Sequence, residues 1–387
     1  MENTPDRPGT RLLYIDNIRL FVIICVVMHH LAVTYSGEGR FYYVETAQMG
    51  ALSTLWFTFY LSFQQAYFMG LMFLLAGYFT AGSYDRKGFG GFLRDRFLRL
   101  MVPTLIYMLL ITPLIEYVEL GNRAAGSDPV TPASILTGFL SSTGVMWFAA
   151  ALFIFSAVYA LARKLGRGSD AAPARGNAAD AAGSKLSPAG LFALIGVISV
   201  CAFAIRLFQP IGTAILNMQL CYFASYIILF VCGIRAYRRG CFSRVGYRAG
   251  KRWLISGAAL GFPFWFALVV VLVKTGNSTA PEGGLNVFSL IYAVWESFTA
   301  VAVSAGLIGV FKERFNGRNK LVKAMSDSSF AVYMFHPVII VAAALLFKPA
   351  ALPPFVKWAV MCPVCVALCF AAAHYILRRI PLLKEVL

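Results

Sequence analysis

The strongest constraint on the fold of this chain is a series of long apolar segments. Of its 387 residues, 59% are hydrophobic and only 13% are charged. Only helices and closed barrels satisfy the backbone inside a bilayer, and a helix needs about 20 apolar residues to cross it. We therefore predict an all-α polytopic membrane protein with about ten transmembrane helices, at 12–34, 54–80, 100–118, 144–162, 188–207, 214–234, 253–273, 286–311, 329–347 and 355–377.

The distribution of Lys and Arg predicts the topology of these segments. The net charge is +17, which in a soluble protein would suggest binding to nucleic acid. Here the basic residues concentrate in alternate loops, and the loops between them carry few. By the positive-inside rule, both termini are then cytoplasmic and the number of spans is even. We expect a multi-pass protein of the cell inner membrane, in contact with lipids and with no nucleic-acid partner.

The chain is expected to form one domain. Residues 1–387 are interpreted as a single transmembrane domain, because no stretch outside the membrane is long enough to fold alone. The segment at about 168–187 is rich in Ala, Gly and Ser, which is typical of a flexible cytoplasmic linker. The cysteines lie almost all within apolar segments, which indicates buried packing residues, and no metal site is predicted. A homodimer is compatible with the sequence.

The first apolar segment carries an unusual set of ionisable residues. On a helix, Arg19 and His30 are about three turns apart and share one face, about 16 Å apart along the axis. Asp16 lies within about 40° of that face. Ionisable groups inside a span are costly and usually face protein or a water-filled cavity. We therefore expect this helix to line a site in which a neutral His30 acts as a general base on a hydroxyl.

A pair of arginines lies at the cytoplasmic end of the third segment. Arg96 and Arg99 are three residues apart and project from one face of a helix. Guanidinium groups bind phosphate through paired hydrogen bonds, although a simple membrane anchor explains the pair as well. Arginines at the inner face and a base in the outer part of the membrane together indicate a site that one substrate enters from the cytoplasm and the other from outside. Acyl-coenzyme A fits such a site as an anionic cytoplasmic donor.

Several motifs together resemble a known family, the acyltransferase type 3 family of membrane-integrated O-acyltransferases. The first is Tyr14-Ile-Asp16-Asn-Ile-Arg19 with His30 after it. The others follow in family order over most of the chain: Phe73-Leu-Leu-Ala-Gly77-Tyr-Phe, Arg96-x-x-Arg99-Leu-x-x-Pro103, Trp147-Phe148 and Tyr333-Met-Phe-His336-Pro337.

The resemblance implies ten spans with a cytoplasmic N-terminus. It also implies that His30 is the catalytic histidine, that Arg19 is its required partner and that Arg96 and Arg99 serve the donor end. Two features depart from the family pattern. Ala76 stands where the motif commonly has serine, and there is no fused extracytoplasmic hydrolase-like domain. We expect either a partner protein or direct transfer to the final acceptor.

Four further residues are candidates for the site. Glu116, at the end of the third segment, and Glu296, in the eighth, are each a candidate to orient the His30 imidazole. Interfacial solvation explains Glu116 equally well. His336 precedes Pro337, which frees a carbonyl one turn earlier, so that a structural kink and a donor-site role are both open. Trp147 is expected to line the cavity.

These observations predict an O-acyltransferase. It would move a short acyl group, acetyl or succinyl, from cytoplasmic acyl-CoA to a hydroxyl of an extracytoplasmic glycan or related small acceptor. His30 would deprotonate the acceptor or carry the acyl group transiently. The alternative is a proton-coupled secondary transporter or flippase of an anionic metabolite or lipid, because intramembrane His and Arg suit such a carrier too.

Overall fold

The computed structural model describes residues 12–39, 41–45, 49–115, 142–166 and 187–379, and within these ranges the chain is helical without any β-strand. The third pass, α3, alternates π-helical and α-helical turns over Phe97–Met101, Val102–Ile106 and Tyr107–Ile111. The other long helices are α1 (Leu13–Ser36), α2 (Ala51–Arg96), α4 (Trp147–Leu165), α5 (Pro188–Arg206), α6 (Phe223–Arg239), α7 (Tyr247–Thr275), α8 (Val287–Arg314), α9 (Lys320–Phe347) and α10 (Pro354–Tyr375).

The described residues contain nine helical stretches long and apolar enough to cross a membrane. One of them, Ala51–Ile115, has 65 residues. As a straight helix it would extend about 98 Å, three times the thickness of a bilayer core. The chain instead reverses at Gly88, which adopts φ 66°. Arg96 consequently donates a hydrogen bond to the Thr80 hydroxyl at 3.4 Å, although a straight helix would hold residues sixteen apart about 24 Å from each other.

This reversal divides the longest stretch into the second and third predicted passes. The prediction of an all-α polytopic membrane protein is therefore confirmed, with ten passes among the described residues. The orientation of the termini stays a prediction. Nearly all of the predicted linker at 168–187 lies outside the described residues, and the single-domain assignment stays a prediction as well.

The helices divide into central and peripheral ones. In α8, 78% of the most apolar 18 residues are buried inside the protein, against 22% in α5 and in α7. Helix α1 is also central and packs against α2, α8, α9 and α10. Large apolar side chains such as Leu110 and Val273 are exposed on the outside of the bundle, as expected for a surface that faces lipid. The first helix therefore has protein on most sides, which is what its ionisable residues require.

Helices α2 and α6 approach each other through glycine. A Cβ atom at Gly77 would lie 2.1 Å from the Phe230 carbonyl oxygen, and one at Gly233 would lie 2.0 Å from that of Leu74. No side chain fits at either position, so the two backbones are in direct contact, as is common between membrane helices with small residues at their interface. The glycine of the Ala76-Gly77 motif therefore has a packing role.

Candidate active site

A cavity of about 630 Å³ lies between α1, α2, α3, α4 and α9. Its polar part is built mainly from the turn between α2 and α3, to which α1 adds Arg19. Its apolar part runs along α1 as far as Val26 and along α9 as far as Tyr333. The lining residues are Arg19, Val22, Ile23, Val26, Met69, Met72, Leu75, Ala76, Phe79, Ser83, Arg86, Lys87, Asp95, Arg96, Arg99, Leu100, Phe148, Ala149, Leu152, Ser329, Phe330 and Tyr333.

The polar part of the cavity is strongly basic. Five of its lining side chains are basic and one, Asp95, is acidic. Asp95 lies 2.8 Å from Lys87, a contact that joins the two sides of the reversal at Gly88, and 3.1 Å from Arg99, one turn further along the chain. The Arg96 guanidinium lies over the Phe92 ring at 5.2 Å. The predicted pair, Arg96 and Arg99, thus lines one cavity with Arg19, and the residual positive charge suits an anionic ligand.

The apolar part of the cavity leads toward two histidines. On α1, the last lining residue, Val26, is one helical turn before His30. On α9, the last lining residue, Tyr333, is one turn before His336. One turn corresponds to about 5 Å along a helix axis. The cavity therefore ends just short of the histidine pair, on the side that faces the arginines.

The two histidines are in direct contact. The Nδ1 atom of His30 lies 3.1 Å from Nε2 of His336 and 2.9 Å from the Val26 carbonyl oxygen. His336 is fully buried, and its Nδ1 lies 2.9 Å from the Tyr333 carbonyl oxygen. His30 is half-buried. The pair thus combines one fully buried residue with one that is partly exposed.

A short segment after α1 covers the opposite side of His30. The Phe41 ring lies over the His30 ring with centroids 4.7 Å apart, and the hydroxyl groups of Tyr42 and Tyr107 are hydrogen-bonded at 2.8 Å. Glu45 forms an ion pair with Lys357 of α10. Burial raises the pKa of the Glu38 carboxyl in this segment, although a hydrogen bond from Thr58 acts in the opposite sense.

Glu296 is not a partner of His30. The structure places it against Arg206 of α5, with which it forms a buried ion pair. The faces of Tyr222 and Tyr292 lie 5.6 and 5.4 Å from the Arg206 guanidinium. The hypothesis that Glu296 orients the imidazole is therefore corrected. Among the described residues, the side chain that contacts the His30 ring nitrogen is another histidine, and the carboxylate neutralises an arginine elsewhere.

Three other candidates have different outcomes. Trp147 does not line the cavity; it stacks on Tyr226 at 5.7 Å, and its neighbour Phe148 lines the wall instead. Asp16 lies 4.0 Å from Arg19 at the basic end. Glu116 lies outside the described residues, so its predicted role is not tested. Among the described residues, no group of three or more His, Cys, Asp or Glu could hold a metal ion; the predicted absence of a metal stays a prediction.

The departure from the serine-glycine motif falls on the cavity. Ala76 lines its wall, one residue before the glycine that contacts α6. The hydroxyl that serine would provide at this position is therefore missing from the cavity surface. Ala76 is not the residue that contacts α6, so helix packing does not explain why alanine stands where the motif commonly has serine.

Sequence reasoning missed the contact between His30 and His336, although a signal for it exists. Helix α1 begins at Leu13 and α9 begins at Lys320, and each histidine follows the start of its helix by roughly four and a half turns. Both helices are odd-numbered passes, which cross the membrane in the same direction. The two imidazoles are therefore expected at nearly equal depth. No comparable pattern in the sequence predicts that the segment containing Phe41 covers His30.

The fold and the site together define a multi-pass membrane protein with a basic cavity that leads toward a pair of histidines. The sequence profile of the acyltransferase type 3 family, described as an acyltransferase domain, matches residues 12–374, and the chain belongs to this family. The resemblance in the motifs is thereby confirmed, and the protein is a membrane acyltransferase. No curated protein and no solved structure matches the chain.

Proposed function

We propose that the protein transfers a short acyl group, acetyl or succinyl, from cytoplasmic acyl-CoA to a hydroxyl of an extracytoplasmic glycan or related acceptor. The observation that carries this proposal is the continuous cavity, which runs from Arg19, Arg96 and Arg99 to within one helical turn of His30. Its volume of about 630 Å³ is within the range of roughly 300–1,000 Å³ for small-ligand sites.

The two parts of the cavity match the two parts of the donor. The basic part would hold the phosphates of the coenzyme, since arginine forms short, charge-assisted hydrogen bonds with phosphate oxygens. The apolar part, lined by side chains such as Met69, Met72 and Leu75, would enclose the extended pantetheine arm. The distance of about 16 Å along α1 from Arg19 to His30 is the length that this arm has to cover.

His30 would supply the acid–base chemistry. Its Nε2 atom would accept the proton of the acceptor hydroxyl while the hydroxyl oxygen attacks the thioester carbonyl carbon. The new C–O bond forms, the C–S bond breaks, and the departing thiolate takes the proton from the imidazolium. Alternatively, Nε2 would itself take the acyl group and pass it to the acceptor in a second step. In both routes the products are the ester and free coenzyme A.

The acceptor would arrive from the side covered by Phe41. The excess of Lys and Arg in the loops at the Arg96 end favours a cytoplasmic location for that end, in the cell inner membrane. The Phe41 segment would then face the extracytoplasmic space. The acceptor would be either the final glycan or a carrier that a partner protein uses.

Reconstitution into sealed vesicles tests this proposal. Acetyl-CoA or succinyl-CoA labelled in the acyl group is added outside, and the vesicles contain a mixture of sugar acceptors. Molecules with the Arg96 end outward should release free thiol outside and place label on a trapped acceptor. Mass spectrometry of surface glycans, with and without the gene, then identifies the natural acceptor and the acyl group.

The competing transporter hypothesis predicts a different result. A carrier would move an anion across the vesicle membrane without consuming acyl-CoA. Failure to release thiol from either donor, in protein with a normal thermal unfolding transition, would contradict the proposal. If thiol is released but the label stays outside the vesicles, the protein uses acyl-CoA, and only the proposal that the acceptor is extracytoplasmic is contradicted.

A further inference from the structure

The sequence His336-Pro337 creates a defined hydrogen bond inside α9. Proline has no N–H, so Pro337 leaves the carbonyl of the residue four positions earlier, Tyr333, without its helical donor. Nδ1 of His336 lies 2.9 Å from that carbonyl oxygen. It also lies 3.2 Å from the Val332 carbonyl oxygen. The histidine side chain therefore takes the place of the donor that the proline removes.

This contact determines where the proton of His336 is. A carbonyl oxygen only accepts hydrogen bonds, so Nδ1 must carry the hydrogen, and in a neutral imidazole the other nitrogen then carries a lone pair. A charged imidazolium is disfavoured because His336 is fully buried within the membrane. Nε2 of His336 is thus an acceptor, and it lies 3.1 Å from Nδ1 of His30.

The same reasoning extends to His30. Its Nδ1 lies between two acceptors, Nε2 of His336 at 3.1 Å and the Val26 carbonyl oxygen at 2.9 Å. A lone pair on this atom would face two other lone pairs, so Nδ1 carries the hydrogen. In the described part of the chain both ring hydrogen bonds of His30 are made by Nδ1. Nε2 is left as the basic atom.

We propose that His336 is a positioning residue, which holds His30 in the tautomer with the proton on Nδ1 and the lone pair on Nε2. Pro337 contributes by freeing the Tyr333 carbonyl. The tautomer does not depend on the proposed function, but its effect on catalysis does. When Nε2 takes a proton from the acceptor, Nδ1–H of the resulting imidazolium still donates to two acceptors, which stabilise the positive charge. A neutral histidine therefore does here what a carboxylate does in a serine protease, without adding a second charge to the membrane.

Nitrogen NMR tests the tautomer directly. The chain has four histidines, so protein labelled with ¹⁵N-histidine in bilayers gives a small set of ring signals, which single-histidine variants assign. In the wild type, His30 and His336 should both carry hydrogen on Nδ1 and none on Nε2. A His30 signal with hydrogen on Nε2 would overturn the proposal. This measurement requires no activity, so it stands whether or not the transfer reaction is established.

Two substitutions test whether the contact acts on the reaction. His336→Phe keeps a ring but removes the acceptor, and it should lower kcat about 10- to 100-fold while KM for acyl-CoA changes less than about twofold. His336→Gln offers an amide oxygen to His30 and an N–H to the Tyr333 carbonyl. It should retain kcat within about fivefold of the wild type and keep the His30 hydrogen on Nδ1.

The comparison of the two variants separates positioning from structural support. If His336→Gln loses as much activity as His336→Phe, a hydrogen-bond acceptor is not what the site needs, and the proposal fails. If His336→Phe keeps the wild-type kcat, the contact does not assist the base, and the proposal fails as well. A variant that does not fold leaves the NMR measurement on the wild-type protein as the deciding test.

Discussion

The His30–His336 pair and the Arg206–Glu296 pair both join two helices inside the membrane, but their surroundings are opposite. The histidine pair lies one turn beyond the end of a cavity, and His30 is half-buried. The ion pair is closed off, with Arg206 0% and Glu296 5% exposed. Two tyrosine rings lie against the guanidinium.

This difference suits the histidine pair to a chemical role and the ion pair to a structural one. Two neutral imidazoles carry no net charge, so the partly exposed one, His30, can take up a proton when a reactant arrives. The arginine and the carboxylate neutralise each other already, and with neither group accessible they can only hold α5 against α8. By this comparison, a cavity that leads toward an ionisable residue in a membrane helix indicates a functional role, and a closed environment indicates a role in helix assembly.

The largest effect should come from the partly exposed histidine, His30. His30→Ala removes the base, so the transfer rate should fall by about 10²- to 10⁴-fold, while the thermal unfolding temperature stays close to that of the wild type. Thiol release from acyl-CoA by the purified protein measures the rate. His374→Ala, which changes another membrane histidine away from the cavity, is the control and should retain activity. If the His30→Ala protein is still active, His30 is not the base, and the histidine pair has no chemical role that the ion pair lacks.

The ion pair should show the opposite pattern. Glu296→Ala leaves Arg206 as a buried, uncompensated charge, which should cost about 3–5 kcal/mol of stability and lower the unfolding temperature. Replacing both residues, as Arg206→Met with Glu296→Leu, should restore most of that loss. The folded fraction should keep a wild-type kcat. Loss of turnover at unchanged stability would instead place Glu296 with the catalytic groups.

A smaller effect is expected at the basic part of the cavity. Arg96→Ala removes charge-assisted hydrogen bonds to a phosphate, so KM for acyl-CoA should rise about 10- to 100-fold with little change in kcat. Arg94→Ala is the matched control, because Arg94 is exposed and does not line the cavity. Equal effects of the two changes would indicate that membrane anchoring, not donor binding, is what Arg96 provides.

The smallest effect is expected at the cavity wall. Ala76→Ser adds one hydroxyl beside the donor, and the serine can bond to a carbonyl of its own helix. KM for acyl-CoA should therefore change by less than about tenfold, since a hydrogen bond contributes roughly 0.5–1.5 kcal/mol at most. The measurement also compares acetyl-CoA with succinyl-CoA. A change of acyl preference beyond tenfold would show that this position selects the donor.

Much of the fold could be predicted from the sequence, because a bilayer leaves the backbone few choices. A long apolar segment has to be a helix, and the chain reversal at Gly88 falls within the basic loop predicted between the second and third segments. The cavity between Arg19, Arg96 and Arg99 follows from the same logic, since charged side chains near a span turn away from lipid.

The partner of His30 was harder to predict. Depth in the membrane follows from counting residues, but the side of a helix that meets its neighbour does not. Helix α8 ends at Arg314, and Glu296 precedes that end by about five helical turns, so it lies at a depth close to that of His30. It nevertheless faces α5. Only the arrangement of helices around α1 distinguishes His336 from Glu296 as the partner.

The reversal at Gly88 has a consequence for assembly. The basic hairpin is made of neighbouring residues, whereas the two imidazoles that meet are 306 positions apart. During synthesis the N-terminal parts of a chain form first. A growing chain therefore contains the basic hairpin long before the second imidazole enters the membrane, and the histidine pair can form only when the ninth helix is in place.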